Sequence, residues 1–405
     1  MSIVEKILDF NQHRDPRIML YKWEAMVENP FRFYRGTCHL FHEAIAGGPD
    51  LPPSPVVWAS GDLHLENFGS FKSDNRQVYF DLNDFDEAAL APAIWEVLRL
   101  TTSIYVAFAS LDIEDERADN MARVYLKSYL DALRNGKPDY IETRTASGIV
   151  CDFLKAADRQ KQKDMLPKRT YQRKRKLRID LDHPKHLKLG KALKPAIIDH
   201  MTAWLKRDEN SPYNYTIIDA CFRLAGTGSL GVQRYELLLE SSNDVGERYI
   251  LLDMKEAVPA SIAKHRVLQP EWTTEAERVV AIQRRMQNRP PALLSSTIFD
   301  GRSYIVQEMQ PEKDSINFKL LRNRYRDMYR VISDMGLLTA SAQLRSAGRQ
   351  GSAIADDLIA FGGNDGWTSE ILAYSRHYAE KVRSEYDIFK KEIHASRGQK
   401  PHSGH

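Results

Sequence analysis

Residues 60–68 read Ser60-Gly61-Asp62-Leu63-His64-Leu65-Glu66-Asn67-Phe68. They follow a short apolar run, residues 56–60, that is typical of a buried strand. Asp62, His64 and Asn67 are therefore expected in one loop at the end of that strand. Such a loop suits phosphoryl transfer, because a carboxylate can accept the proton of an attacking hydroxyl and an amide oxygen can coordinate Mg²⁺.

An acidic stretch, Asp84-Phe85-Asp86, comes seventeen residues after Asn67. It follows a second predicted strand, residues 77–82, so it is expected beside the first loop. Hard oxygen ligands near one another suit Mg²⁺. Asn67, Asp84 and Asp86 are thus the predicted metal ligands. As an alternative, the acidic residues between 81 and 87 form a solvated turn.

A glycine-rich stretch lies much further along the chain and reads Gly226-Thr227-Gly228-Ser229-Leu230-Gly231. Two apolar runs follow it, residues 237–239 and 249–254, which predict a β-hairpin rather than the helix of a dinucleotide-binding turn. Glycines at this spacing let backbone approach nucleotide phosphates, and Lys255 on the next strand can neutralise them. The alternatives are a Rossmann turn and an ordinary strand-edge lysine.

The composition excludes several classes of protein. With 405 residues, 42% of them hydrophobic and 28% charged, the chain is neither disordered nor fibrous. No apolar run is long enough for a membrane helix, and the N-terminal stretch lacks the features of a signal peptide. Cys38, Cys151 and Cys221 have neither metal-ligand spacing nor a disulfide framework. We therefore expect a cytoplasmic protein with reduced cysteines and no membrane partner.

Charge is unevenly distributed along the chain. Residues 155–194 contain 15 Lys and Arg against 4 Asp, a local excess of +11, whereas the whole chain has a net charge of +3. A solvated insertion is one interpretation, and a surface for a phosphorylated or nucleic-acid partner is the other. We expect this basic segment to lie outside the nucleotide cleft and to cover or recruit an anionic acceptor, with Arg173, Lys174, Arg175 and Lys176 at its centre.

Together, these motifs resemble the protein-kinase-like superfamily. The loop with Asp62 and the stretch with Asp84 are closest to the corresponding motifs of aminoglycoside and choline phosphotransferases, although Ser60 replaces the first His of their HGD motif. More narrowly, four stretches resemble a bacterial family catalogued as a domain of unknown function, DUF2252. They are NPFRFYRG at 29–36, GDLHLENFG at 61–69, DLNDFDE at 81–87, and the glycine-rich stretch through Lys255-Glu256-Ala257.

The order of the motifs differs from that of an ordinary kinase-like enzyme, in which the glycine-rich loop and lysine precede the catalytic loop. A circular permutation accounts for the difference. The resemblance thus implies an α+β, two-lobed, permuted protein-kinase-like fold. Residues 1–212 would form part of the helical lobe with the catalytic loop and a basic insertion at about 155–195, residues 213–310 the β-rich lobe, and residues 311–405 the hinge and returning helices.

The permuted arrangement makes two spatial predictions. Lys255 must lie within about 15 Å of Asp84, because both would act on one triphosphate and lobe closure recovers only a modest distance. The helix through Ala340 and Leu344 must end close to the strand at residues 56–58, where the ancestral chain would have been continuous.

The resemblance also implies a role for each motif residue. Asp62 would be the catalytic base, His64 would shape the loop, and Lys255 would hold the α and β phosphates while paired with Glu277, or alternatively with Glu275. The nucleotide would be covered by Gly226, Thr227, Gly228, Ser229 and Gly231, and the adenine would meet backbone groups of residues 308–310, including Glu308 and Met309.

Arg32 and Arg35 have no assigned role: surface ion pairing and contact with an anionic acceptor remain open.

The implied function is ATP- and Mg²⁺-dependent transfer of the γ-phosphate to a hydroxyl of a small molecule or protein. The alternatives are AMP transfer, ATP sensing by a pseudokinase and, through residues 155–195, nucleic-acid binding. An intact Asp62 favours phosphoryl transfer, because sensing needs no base. The sequence does not identify the acceptor, since kinase-like folds vary it through loops and insertions.

Overall fold

A computed structural model provides the structure of the chain. It describes residues 1–48, 51–159, 162–174, 176–207, 214–243, 247–265, 267–309 and 315–398. The helices are α1 Ile3–Phe10, α2 Pro16–Met26, α3 Pro30–Gly36, α4 Cys38–Gly47, α5 Ala93–Ser110, α6 Asp115–Asn135, α7 Gly148–Arg159, α8 Gln162–Arg169, α9 Leu193–Arg207, α10 Glu275–Met286, α11 Tyr325–Arg345, α12 Ala355–Gly362 and α13 Thr368–Gly398. The strands are β1 Val56–Ala59, β2 Phe68–Lys72, β3 Val78–Leu82, β4 Ala89–Pro92, β5 Ile141–Glu142, β6 Thr170–Arg173, β7 Lys176–Ile179, β8 His186–Leu187, β9 Tyr215–Arg223, β10 Arg234–Ser241, β11 Tyr249–Glu256, β12 Ser295–Phe299 and β13 Arg302–Glu308.

Local sequence signals explain where several helices begin and end. The Asp15 side chain caps α2 by accepting from the Arg17 N–H, and Pro16 occupies the first helical turn. The helical pattern predicted from 91 to 133 divides into α5 and α6. The division falls at Asp112, whose φ of +52° is incompatible with a continuing helix.

The largest sheet is antiparallel, with the strand order β12-β13-β11-β10-β9-β8. Successive side chains of a strand point to opposite faces, so each strand contributes to two different environments. One face carries Leu237, Leu252 and Val306 and is covered by α9 through Met201 and Trp204. The opposite face carries the charged side chains that form the roof of the cleft described below.

The larger hydrophobic core lies among the helices on the other side of that cleft. Helix α5 is buried along most of its length and packs against α6, α13 and α3. Strand β1 pairs with β4, and β2 pairs with β3, so residues 60–67 and 83–88 are loops held between small antiparallel ladders. This arrangement gives two otherwise irregular segments a rigid base.

The end of α11 meets β1, as the permuted arrangement predicted. The Ala353 N–H donates to Val56 O at 2.7 Å, and the Trp58 Nε1–H donates to Arg349 O at 3.0 Å. Nearly 300 residues separate these partners in sequence. The segment that follows α11 therefore lies against the strand that precedes the loop with Asp62.

The basic segment does not lie wholly outside the cleft, because Arg169 at the end of α8 and Lys185 before β8 line it. The prediction is wrong for these two residues. Met165, Leu166 and Ile179 pack against Leu238 and Leu251. These leucines lie on the charged face of the sheet. Each is an even number of positions away from the charged roof residues of its own strand, β10 or β11, so its side chain points to the same side. Part of the segment thus packs against the sheet through apolar contacts that its charge pattern does not reveal. Arg175, part of the predicted centre, lies outside the described residues.

None of the described helices is both long enough and apolar enough to cross a lipid bilayer.

Asp81 is buried on β3, which contradicts its placement in a solvated turn. Burial raises the pKa of its carboxyl to about 6, although Arg345 opposes the shift. The folded state therefore favours the protonated acid, and this stabilisation, complete below pH 4, is lost as the pH rises through 6.

Asp81→Asn should gain stability over the wild type between pH 4 and pH 8, by up to about 3 kcal/mol. Urea unfolding of both proteins across this pH range would measure the difference in stability. A difference that does not change with pH would contradict the expectation.

Candidate active site

A cleft of about 350 Å³ lies between the charged face of the six-stranded sheet and the loops that follow β1 and β3. This volume is within the range of small-molecule sites. Its charged lining is formed by Arg35, Glu66, Asp84, Asp86, Arg169, Lys185, Arg223, Arg234, Asp253 and Lys255. The cleft thus combines side chains from most of the chain and is suited to a highly polar ligand.

Asp62 is fixed by a fully buried arginine of α5. Arg99 donates from Nε (2.9 Å) and Nη2 (2.7 Å) to Oδ1 of Asp62, and Nη2 also donates to Tyr34 O. The same helix holds the backbone just before Asp62, because Glu96 accepts from the N–H and hydroxyl of Ser60. Both bonds from Arg99 go to Oδ1, so Arg99 leaves Oδ2 without a bond.

Asn67 and His64 complete the loop. The Asn67 amide group donates to the backbone carbonyls of Asp62 (3.0 Å) and Asp84 (3.3 Å), which links the two acidic segments. The His64 ring accepts from the Glu66 N–H and caps the short 3-10 turn at 65–67. Burial lowers the pKa of His64 well below its usual value. His64 is thus a neutral residue that caps the turn within the loop.

Lys255 meets Asp84 across the cleft, so the predicted approach is confirmed. Its Nζ lies 3.7 Å from Oδ1 of Asp84 and forms a closer ion pair with Oδ2 of Asp86. That Asp86 oxygen also accepts from the Ser229 hydroxyl at 3.1 Å. Lys255 and the glycine-rich loop therefore converge on the acidic stretch, although 171 positions separate Lys255 from Asp84.

The two carboxylates differ in their electrostatic environment. Burial in the cleft and the negative charge of Asp86 raise the pKa of Asp84. For Asp86, burial acts in the same direction, but the charges of Lys255 and Arg234 and the hydrogen bonds from Lys255 and Ser229 together hold the pKa of Asp86 below its usual value. Asp86 is thus the carboxylate that forms the close ion pair with Lys255. Asp84, whose side chain is 51% exposed, is the carboxylate more available to a ligand.

The glycine-rich loop is a compact turn between β9 and β10. Gly226 and Gly231 have φ values of +74° and +98°, which L residues rarely adopt. Arg14 donates to the carbonyls of Gly228 (2.6 Å) and Leu230 (2.7 Å), and Lys22 donates to Gly228 O at 3.0 Å. The loop opens no helix and its sheet is antiparallel, so the Rossmann alternative is wrong.

The predicted ion pair of Lys255 with Glu277 or Glu275 is not formed. Glu277 lies in the first turn of α10, where its N–H donates to the Thr274 hydroxyl and its carboxylate accepts from the Thr273 N–H. Glu275 pairs with Arg278 at 2.6 Å. Both glutamates precede the part of the helix that faces the cleft, which presents Val279 and Gln283. The helix was predicted correctly, but the residues that face the lysine were not.

Among the backbone groups of residues 308–310 that were predicted to meet a nucleotide base, the N–H groups of Glu308 and Met309 are already engaged. The Met309 N–H donates to Leu251 O at 2.8 Å, and the Glu308 N–H donates to Ala292 O at 2.8 Å. The Glu308 carboxylate pairs with Arg76. Both backbone donors are therefore satisfied within the protein, and Gln310 lies outside the described residues.

The comparison with protein families supports the narrower resemblance. The model of the family described as "Uncharacterized protein conserved in bacteria (DUF2252)" matches residues 14–392. The chain belongs to the DUF2252 family. No curated protein and no solved structure matches it.

Arg32 and Arg35, in the stretch NPFRFYRG at 29–36, have different environments in this DUF2252 protein. Arg32 pairs with Glu28 on the surface, at 2.9 Å. Arg35 lines the cleft, where its Nε lies 3.2 Å from Nε2 of His64 and its guanidinium contacts Glu66. Arg35 is thus a site residue, whereas Arg32 is a surface ion-pair residue.

The donor set of the site fits one hard divalent cation. The described residues contain no group of three or more His, Cys, Asp or Glu side chains arranged to hold a metal ion. Mg²⁺ needs fewer protein ligands, since it retains waters and takes substrate phosphates. Asp84 and the Oδ1 of Asn67, whose amide nitrogen is engaged with backbone, supply such a pair. Asp86 is committed to Lys255 and Ser229 and is the weaker ligand.

Arg99→Met should destabilise the fold by about 3–5 kcal/mol, because it removes the partner of the largely buried Asp62 carboxylate. Arg32→Met is the matched control. It removes an exposed pair and should change stability by less than about 0.5 kcal/mol. Urea unfolding of the three proteins would test this expectation, and equal stability of both variants would show that Arg99 does not hold Asp62.

Proposed function

We propose that this DUF2252 protein is an ATP- and Mg²⁺-dependent phosphotransferase that moves the γ-phosphate to a hydroxyl group. The observation that carries the proposal is the meeting of Asn67 and Asp84 with Lys255 and the glycine-rich loop in one cleft. Asp62 lines a small cavity that adjoins this cleft, and Asn67 hydrogen-bonds its backbone carbonyl. These are the side-chain types that phosphoryl transfer uses for positioning and charge neutralisation.

The order of elements around the cleft also supports a permuted protein-kinase-like fold. Strand β9, the glycine-rich loop, β10, the lysine strand β11, helix α10, and strands β12 and β13 follow one another along the chain. In the sheet, β11 lies between β10 and β13. A glycine-rich loop before a lysine-bearing strand that precedes a helix is the arrangement of the small lobe in such enzymes.

The chemistry proposed for the chain's own residues is simple. Oδ2 of Asp62 accepts the proton of the acceptor hydroxyl as that oxygen forms a bond to the γ-phosphorus. The bond from the γ-phosphorus to its bridging oxygen breaks, and the electron pair leaves with ADP. Lys255 neutralises phosphate charge. Asp84 and Asn67 would hold Mg²⁺, which supplies charge stabilisation when bound.

One observation favours nucleotidyl transfer as a second candidate. The roof of the cleft presents Arg223 and Arg234, both paired with Asp253 at 2.5–2.9 Å. Ile305 and Met309 contribute apolar surface to the same cleft, but the charged part of the roof offers arginines to phosphates. A nucleotide with its phosphates under these arginines would expose its α-phosphorus to attack.

Asp62→Asn should lower ATP turnover by about 10² to 10⁴, the usual scale for a positioned acid or base. Its affinity for Mg·ATP should stay close to that of the wild type, because Asp62 contacts the acceptor rather than the nucleotide. Asp84→Asn should raise the Mg²⁺ concentration needed for half-maximal turnover. Steady-state ADP release and calorimetric nucleotide binding, each titrated with Mg²⁺, would measure both effects.

Asp152→Asn, an exposed change on α7, is the control and should behave as the wild type in both assays. If the Asp62 and Asp84 variants lost nucleotide binding equally, the two roles assigned here would be wrong.

A further inference from the structure

A second, small cavity lies on the other side of Asp62, under the glycine-rich loop. Its volume is about 50 Å³, and its lining includes Asp62, Gly228 and residues of the N-terminal helices α1, α2 and α4. It shares Asp84, Asp86 and Ser229 with the main cleft. The cavity thus adjoins both the proposed base and the place where the phosphates would lie.

His39 lines this cavity with unused hydrogen-bonding capacity. Its side chain is 4% exposed, and neither ring nitrogen has a hydrogen-bond partner among the described residues. The ring stacks on Phe10 at a centroid distance of 3.8 Å, which fixes its plane. Burial and the nearby Lys22 and Arg14 charges lower the pKa of His39 to about 2. A neutral imidazole offers one donor and one acceptor.

The other polar side chains of the N-terminal helices around the cavity already have partners. Lys22, only 1% exposed, donates to Asn11 Oδ1 and to Gly228 O. Arg14 donates to glycine-loop carbonyls. A buried polar group without a partner costs about 1–3 kcal/mol. His39 is therefore a destabilising residue unless a ligand supplies its hydrogen bonds.

The cavity continues into an open groove of about 920 Å³ between α1, the start of α2 and the sheet. Phe10, Arg14, Val232, Glu256 and Val258 line both spaces. The charges of the groove are largely balanced by the pairs Lys6–Glu43, Arg17–Asp15 and Arg302–Glu256. A groove with balanced charges favours a ligand without net charge over a polyanion.

We infer that the groove admits the phosphate acceptor, a small hydroxyl compound without net charge, and that His39 hydrogen-bonds it in the small cavity beside Asp62. This inference rests on the proposed function. The acceptor hydroxyl gives its proton to Oδ2 of Asp62 and its oxygen to the γ-phosphorus, and ADP leaves with the bridging oxygen. None of the residues of the basic segment 155–194 that the structure describes lines the cavity or the groove. The acceptor route thus differs from the one predicted from charge alone.

His39→Phe tests the inference, because phenylalanine keeps the stack on Phe10 and removes both nitrogens. With γ-labelled ATP and the low-molecular-mass fraction of a bacterial cell extract, transfer to small molecules should fall about tenfold or more, the loss of at least one hydrogen bond. Mg·ATP affinity should be retained. The unfolding temperature should rise or stay constant, since an unpartnered buried group is removed.

His42→Phe is the matched stability control. His42 is also buried, but its nitrogens bond Ser261 Oγ (2.8 Å) and Gly61 O (3.0 Å), so this change should lower the unfolding temperature. The exposed His377→Phe should leave transfer unchanged.

Wild-type transfer rates in His39→Phe would overturn the acceptor site and leave the proposed function standing. Transfer by the wild type to macromolecules alone, with whole extract in place of the low-molecular-mass fraction, would do the same. If the wild type released no ADP with the extract fraction or with water as acceptor, the proposed function itself would fail.

Discussion

Two buried charges on α5 determine how the site is built. Glu96 and Arg99 are one turn apart and therefore lie on the same face of the helix. Glu96 accepts from Ser60 and from Gln343 of α11, and Arg99 holds Asp62. Charges this deeply buried are tolerated only when they are paired or hydrogen-bonded. The loop, α5 and α11 thus fix one another, and the position of Asp62 follows.

This constraint also explains how a site can form from distant parts of the chain. Gln343 reaches Glu96 although it lies 247 positions away, and Lys255 reaches the acidic stretch from the six-stranded sheet. The N-terminal helices then pin the glycine-rich loop through Arg14 and Lys22. Contacts rather than chain order specify this site, which is why a permuted order is compatible with it.

Sequence reasoning identified the segments with recognisable local patterns. The loop at 60–67, the acidic stretch and the glycine-rich turn with Lys255 have such patterns, and the structure brings them together. Glu277 was misassigned because helix periodicity does not show which turn faces the cleft. Arg99 and His39 were missed because a single polar residue among apolar neighbours on a buried helix has no local signature. The basic segment was misplaced because charge counts do not reveal the apolar contacts of Met165 and Ile179.

The central claim is that the cleft transfers a terminal phosphoryl group, and the fate of the ATP phosphates tests it most directly. The protein would be incubated with Mg²⁺, a low-molecular-mass cell fraction, and ATP labelled at either the γ- or the α-phosphorus, with the products separated and identified. The account predicts that only the γ-label reaches the acceptor and that ADP is released. Transfer of the α-label with release of pyrophosphate would contradict it.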